Sequence, residues 1–157
     1  MKSELRSAVP EDREFLFRLY ASTRIHEIAP LGWPEAQQEA FLRMQYGAQE
    51  QWYRTAYPAA DHQIIQINEQ AVGRVIVLRE AETWHLIDIS LVSEHRGHGI
   101  GGELIALMIR DCAAAGATLK LQVLKANPAL RLYHRLGFTI AGEDQISVQM
   151  EHRRVLP

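Results

Sequence analysis

Cysteine is almost missing from this chain of 157 residues: Cys112 stands alone. One thiol excludes an internal disulfide and a cysteine-rich zinc cluster. An excess of one charge is missing too, with 17 basic against 19 acidic side chains and a formal net charge of −2. Without a basic surplus, nucleic acid is not an expected partner. No apolar run approaches a bilayer span, and no charged-then-apolar stretch opens the chain, so no membrane partner and a cytoplasmic location are expected. Repeats, low-complexity stretches and Gly/Ser/Pro-rich linkers are also lacking. The expectation is therefore one domain over residues 1–157, with residues 151–157 a polar tail. What the chain does have is 47% hydrophobic residues, enough at this length for one substantial core.

The apolar spacing predicts a mixed α/β fold. Ser3 to Val9 reads as a first strand, and Pro10 suits a first helical position with Glu11 and Asp12 behind it. Phe15, Leu16, Leu19 and Tyr20 recur at helical spacing, and a second helix is predicted from Glu35 to about Tyr57. Strands are predicted at Gln63 to Ile67, Val72 to Leu78 and Trp84 to Val92. A helix carrying Leu104, Ile105, Met108, Ile109 and Cys112 on one face follows, and Gly116 ends it. Leu119 to Leu124 is the next strand, Asn127-Pro128 opens a short helix, and strands at Phe138 to Ala141 and Ile146 to Met150 finish the chain. Only the central strand–helix–strand unit demands a parallel crossover, so the sheet should be mostly antiparallel.

The densest signal lies between the apolar run ending at Val92 and the helix that follows. Gly97, Gly99, Gly101 and Gly102 fall within six residues. A glycine loop opening a helix exposes backbone N–H groups at the positive end of the helix dipole, where a phosphate or pyrophosphate binds. Glycine matters because a Cβ would hold phosphates away from the backbone.

Three ligands compete for such a cradle. Gly97-x-Gly99-x-x-Gly102 matches the dinucleotide fingerprint, but Ser93 to Arg96 intervene after the strand, and the strand Leu119 to Leu124 carries no acid for a ribose. A P-loop would need Gly-Lys-Ser/Thr, which does not follow. Counted from the arginine, the segment is Arg96-x-x-Gly99-x-Gly101. In that frame, after a strand and before a helix, it resembles the acetyl-CoA signature of the GNAT superfamily of N-acetyltransferases. Asn127-Pro128-Ala129-Leu130-Arg131-Leu132-Tyr133-His134-Arg135-Leu136-Gly137-Phe138 is similar to the second signature of that family, Asn…Leu-Tyr-x-x-Leu-Gly-Phe. The predicted element order fits the same fold from the first strand to Met150. Three positions depart from the usual pattern. Asn127 precedes Tyr133 by one residue fewer than is common, His95 replaces an aromatic residue, and Ser93 stands where proline is frequent.

The resemblance implies an acyltransferase moving an acetyl group from acetyl-CoA, its co-substrate, to a primary amine on a small molecule or peptide. It implies that Arg96, Gly97, His98, Gly99, Ile100, Gly101 and Gly102 hold the pyrophosphate. The pantetheine arm would pair with the backbone of Ile89, Ser90 and Leu91, and Asn127 would be a further CoA ligand. Tyr133 matches the general acid that protonates the departing thiolate, and a backbone N–H near Leu91 would meet the carbonyl oxygen. The base is open. Asp88, a carboxylate inside an apolar run, matches the acid that many members place on this strand; His85, on the opposite face, and a water chain are the rivals. A structural Asp88 bonded to neighbouring backbone is the other reading of that residue.

Other residues carry plainer readings. His95-x-x-His98 lacks a third ligand at recognisable spacing, so no metal is expected. Cys112 falls on an apolar helix face and reads as core. Trp33, between Gly32 and Pro34, is the aromatic residue expected nearest the acceptor. A module of the same fold that binds acyl-CoA as a sensor is the alternative to an enzyme, and a monomer or a homodimer fits equally.

Overall fold

The computed structural model describes residues 2–153. In chain order its elements are β1 (Ser3–Ser7), α1 (Arg13–Ile28), α2 (Glu35–Ala56), β2 (Asp61–Ile67), β3 (Gln70–Arg79), β4 (Thr83–Leu91), α3 (Ile100–Ala114), β5 (Thr118–Leu124), α4 (Ala129–Arg135), β6 (Thr139–Glu143) and β7 (Ser147–His152). The seven strands are ordered β1-β2-β3-β4-β5-β7-β6. β4 and β5 run parallel, as a crossover through α3 requires, while β5 with β7 and β7 with β6 run antiparallel. This is the predicted mixed, mostly antiparallel α/β fold. Among the described residues no helix is long and apolar enough to cross a membrane.

Contacts divide the chain into two compact units, Met1–Arg74 with Ser90–His95, and Val75–Ile89 with Arg96–Pro157. In the first, β1 pairs antiparallel with β2 in the register Leu5↔Ile65, and α1 and α2 close a core of Phe17, Tyr20, Ile28 and Leu42. Arg6 ties β1 to the start of α1, its two terminal nitrogens donating to Asp12 at 2.8 Å each. The Val9 N–H donates to the same carboxylate at 2.8 Å, so a short 3-10 turn over Pro10–Asp12 leads into α1 rather than Pro10 starting it. Arg6 holds the Asp12 carboxyl below the usual range. Asn68 and Glu69 both sit in the left-handed region, at φ 51° and 64°. That two-residue turn lets β3 begin at Gln70, two residues before the apolar run predicted its start.

In the second unit α3 lays Ile100, Leu104, Ile105, Met108 and Cys112 into the interior. Cys112 is 1% exposed, as expected of a core thiol, and its desolvation raises its pKa. The parallel ladder of β4 and β5 runs from Thr83↔Thr118 to Leu86↔Leu121 and ends there, while β5 stays paired with β7 as far as Leu124↔Ser147. β7 extends to His152, and Glu151 is buried, so these two belong to the sheet and not to the polar tail predicted from residue 151. Residues 154–157 of that tail lie outside the described residues. In β6 the register shifts between Ile140 and Gly142, a bulge opposite β7.

Candidate active site

The glycine loop of the second unit is built as the sequence suggests. Gly97 and Gly99 adopt φ 77° and 83°, a region that costs an L-residue, and Gly99 caps α3. The Glu103 N–H donates to the Gly99 carbonyl at 3.0 Å, closing the first turn. The N–H groups of that turn, from Ile100 to Gly102, have no intrahelical acceptor by the geometry of a helix start. A Cβ placed on Gly97, Gly99 or Gly101 would meet nothing within 4 Å, so the space they leave is not filled by the protein itself. Arg96 and His98 are exposed on this loop. Ile100 is buried, so its side chain anchors the loop in the core while its backbone faces the helix start. Gly102 has a different neighbour: a Cβ there would touch Leu132 of α4 at 3.4 Å.

Tyr133 lies on α4 of the same unit, 7% exposed, its ring edge-on to Phe138 at 5.7 Å. Burial and then the charge of Asp88 push its phenol from 10.0 up to about 12. A tyrosine so placed keeps its proton throughout the physiological range. Asp88 and Tyr133 are thus brought into electrostatic reach of each other. The His85 Nε2 sits 3.4 Å from Glu80; in a regular strand positions 85 and 88 fall on opposite faces.

Ile89 stands at the end of the second unit's share of β4, while Ser90 and Leu91 continue the strand in the first. There the Val92 N–H donates to the Val72 carbonyl at 2.8 Å. Asn127 turns its side-chain oxygen to the Ala129 N–H at 2.9 Å, holding the entry to α4. In the first unit His95 packs in a short 3-10 turn, and its Nδ1 is buried without a hydrogen-bond partner. Trp33 joins the first unit's core, edge-on to Phe41 at 5.3 Å.

Sequence reasoning passed over Gly73 and Arg74. Arg74 is 5% exposed, and its Nη1 donates to Glu50 at 2.7 Å while its Nη2 donates to Gln49 at 3.1 Å, both on α2. A Cβ on Gly73 would lie 2.2 Å from the Ser90 carbonyl oxygen. The available signal was a Gly-Arg pair interrupting an otherwise apolar central strand, which marks a close backbone approach and a paired buried charge.

The model of the acetyltransferase (GNAT) family matches residues 22–138. No curated protein matches the chain by sequence. Among solved structures it is similar to the PaiA N-acetyltransferase of Thermoplasma acidophilum in complex with coenzyme A, at 19% identity and a TM-score of 0.72, covering 98% of this chain and 99% of that one. A spermidine N-acetyltransferase chimera of Vibrio cholerae SpeG and hSSAT is similar at 18% identity and a TM-score of 0.69, covering 98% and 96%. The ribosomal-protein alanine N-acetyltransferase of Escherichia coli is similar at 16% identity and a TM-score of 0.65, covering 99% and 96%. These likenesses establish the fold.

Proposed function

Since the chain belongs to the acetyltransferase (GNAT) family and is an acyltransferase, we propose that it transfers an acetyl group from acetyl-CoA directly to a primary amine. The observation that carries this reading is geometric: the second unit holds both a glycine loop whose space stays open before the start of α3 and a buried tyrosine, Tyr133, on α4. In this reading the pyrophosphate rests on the backbone of Arg96 to Gly102, where open space, free helix-start donors and the Arg96 charge coincide. The pantetheine arm runs along Ile89, Ser90 and Leu91, pairing with backbone. Asn127 contributes its remaining amide hydrogens to CoA.

The amine nitrogen attacks the thioester carbonyl, whose oxygen takes a backbone N–H near Leu91; the Val92 N–H is already committed to Val72. The C–N bond forms, the C–S bond breaks, and the sulfur leaves as a thiolate that takes the proton of Tyr133. The amine's proton passes through water to Asp88, whose charge on the Tyr133 side favours it over His85. Acceptors of the polyamine kind and of the protein N-terminal kind, as named for the two acetyltransferases above, are both candidates for this chain.

A thermal-shift and turnover screen tests the assignment. CoA and acetyl-CoA should raise the melting temperature while NAD and ATP do so far less, and at least one amine in a broad library should release thiol steadily. Equal stabilisation by NAD would sink the acetyl-CoA assignment; tight CoA binding with no turnover on any amine would mark a sensor instead. Tyr133→Phe should lower kcat by about 10²–10⁴-fold, the usual share of general acid catalysis, with CoA affinity nearly unchanged. Because its pKa is raised, the wild-type phenol stays protonated as pH rises past 10.0, so kcat should show no alkaline loss from this group before about 12. A variant with normal kcat but lost CoA binding would reduce Tyr133 to a packing contact.

A further inference from the structure

At Gly73 the place of a side chain is taken by the protein's own backbone at sub-contact distance. A Cβ built there lies 2.2 Å from the Ser90 carbonyl oxygen, 2.8 Å from Leu91 Cδ2 and 3.2 Å from Leu91 Cα. Real Cβ contacts essentially never fall below 3.0 Å, so any side chain at 73 would force the end of β4 back by roughly 1 Å. The residues on both sides of Gly73 are fastened. Before it, the Val72 carbonyl receives the Val92 N–H at 2.8 Å. After it, the buried Arg74 guanidinium forks onto Glu50 at 2.7 Å and Gln49 at 3.1 Å and lies 5.7 Å over the Tyr53 ring. β3 therefore cannot drift to absorb an intrusion; Ser90 and Leu91 would have to move. These two residues make no use of their side chains in the proposed reading, only of their backbone groups, whose usefulness depends entirely on where they stand.

We infer that Gly73 is a positioning residue for acetyl-CoA: the slot it leaves seats the Ser90–Leu91 backbone at the place from which it pairs with the pantetheine arm. The inference rests on the acetyl-CoA reading above but concerns a residue outside the glycine loop and outside the chemistry. It explains why a buried charge is tolerated at position 74. A loose β3 would leave the slot without a fixed wall, and the Arg74–Glu50 pair supplies that wall from α2.

The test compares the wild-type chain with Gly73→Ala, which drives a wedge into the slot, and with Leu91→Ala, which empties it. Leu91 is partly exposed, so its truncation is compatible with folding even if the wedge is not. Each protein is titrated with acetyl-CoA at a temperature where it is fully folded, and amide hydrogen exchange is followed at Val92 and, as an internal reference, at Ile64 and Ile65. Gly73→Ala should weaken acetyl-CoA binding about tenfold or more and Leu91→Ala about three- to tenfold, both through lost preorganisation. Exchange at Val92 should quicken while Ile64 and Ile65 stay protected. Acetyl-CoA affinity within about twofold of wild type in the folded variants would overturn the inference and leave the acetyl-CoA reading standing. So would an equal loss of protection at Val92, Ile64 and Ile65, the mark of general destabilisation. If Gly73→Ala does not fold, Leu91→Ala decides by the same two readouts. A wild-type chain that fails to bind acetyl-CoA at all would instead bring down the functional reading, and this inference with it.

Discussion

Glycine serves two opposite purposes in this molecule, and the loop at 97–101 and the strand position 73 show them side by side. At Gly97, Gly99 and Gly101 an added Cβ would meet nothing, whereas at Gly73 it would strike the Ser90 carbonyl at 2.2 Å. The loop leaves its space open; the strand fills its space with the chain itself. Backbone angle separates them as well. Gly97 and Gly99 need positive φ, but Gly73 lies in an ordinary strand and is required by space alone. At Gly73 the vacated space is filled from within, whereas at Gly97, Gly99 and Gly101 it stays open.

Substitutions can break or sharpen this contrast. The largest effect is expected from Gly99→Val, which both forces a branched residue into the left-handed region, at about 1–2 kcal/mol, and fills the phosphate approach. Its melting temperature should fall without ligand, and the acetyl-CoA-induced shift should vanish. Gly101→Ala separates the two contributions. Position 101 lies in the first turn of α3 with no positive φ, so alanine should leave unliganded stability unchanged or slightly raised while weakening acetyl-CoA binding. A variant that binds acetyl-CoA as well as wild type would show that the open space at 101 is not where the phosphates go. The smallest effect is expected where glycine is absent but favoured. Glu69 occupies the left-handed region at φ 64° in a two-residue turn that prefers Asn-Gly. Glu69→Gly should therefore stabilise the chain by about 1 kcal/mol in urea unfolding and leave acetyl-CoA affinity untouched.

Much of this was legible from spacing. Apolar spacing, with Gly and Pro as punctuation, located the strands β1 to β7 and the helices α1 to α4, though not the short 3-10 turns. Boundaries moved where local chemistry overrode the pattern: Asp12 delays α1 by accepting from Arg6 and Val9, and Asn68-Glu69 shortens the predicted link. The last strand was underestimated at its end because Glu151 looks like a solvated charge in sequence, yet it is only 8% exposed. Of the candidate site, the conformation of the glycine loop and the helical placing of Tyr133 were readable because their signals are local. The neighbours of Asp88 and His85 were not legible in sequence, since they depend on what each face of β4 meets: Asp88 acts on Tyr133, and His85 lies by Glu80. Gly73 was illegible as a site residue because its partners, Ser90 and Leu91, lie on another strand. Sequence shows that a glycine interrupts a strand but not what presses against it. Trp33, expected nearest the acceptor, packs edge-on against Phe41 at the margin of the first unit's core.

The bulge in β6 has a consequence for self-association. β6 is the last strand in the sheet order, only five residues long, and Ile140 on it is 52% exposed, with Ile146 in the following turn at 68%. A flat apolar edge of that kind would invite another chain to add its own strand. The register shift between Ile140 and Gly142 breaks the regular row of donors and acceptors, and Glu143, paired with Lys125 at 3.1 Å, puts charge at the end of the strand. Straightening β6 by deleting one residue of the bulge would restore a regular row, so the irregularity in pairing with β7 also makes this edge a poorer template for an added strand.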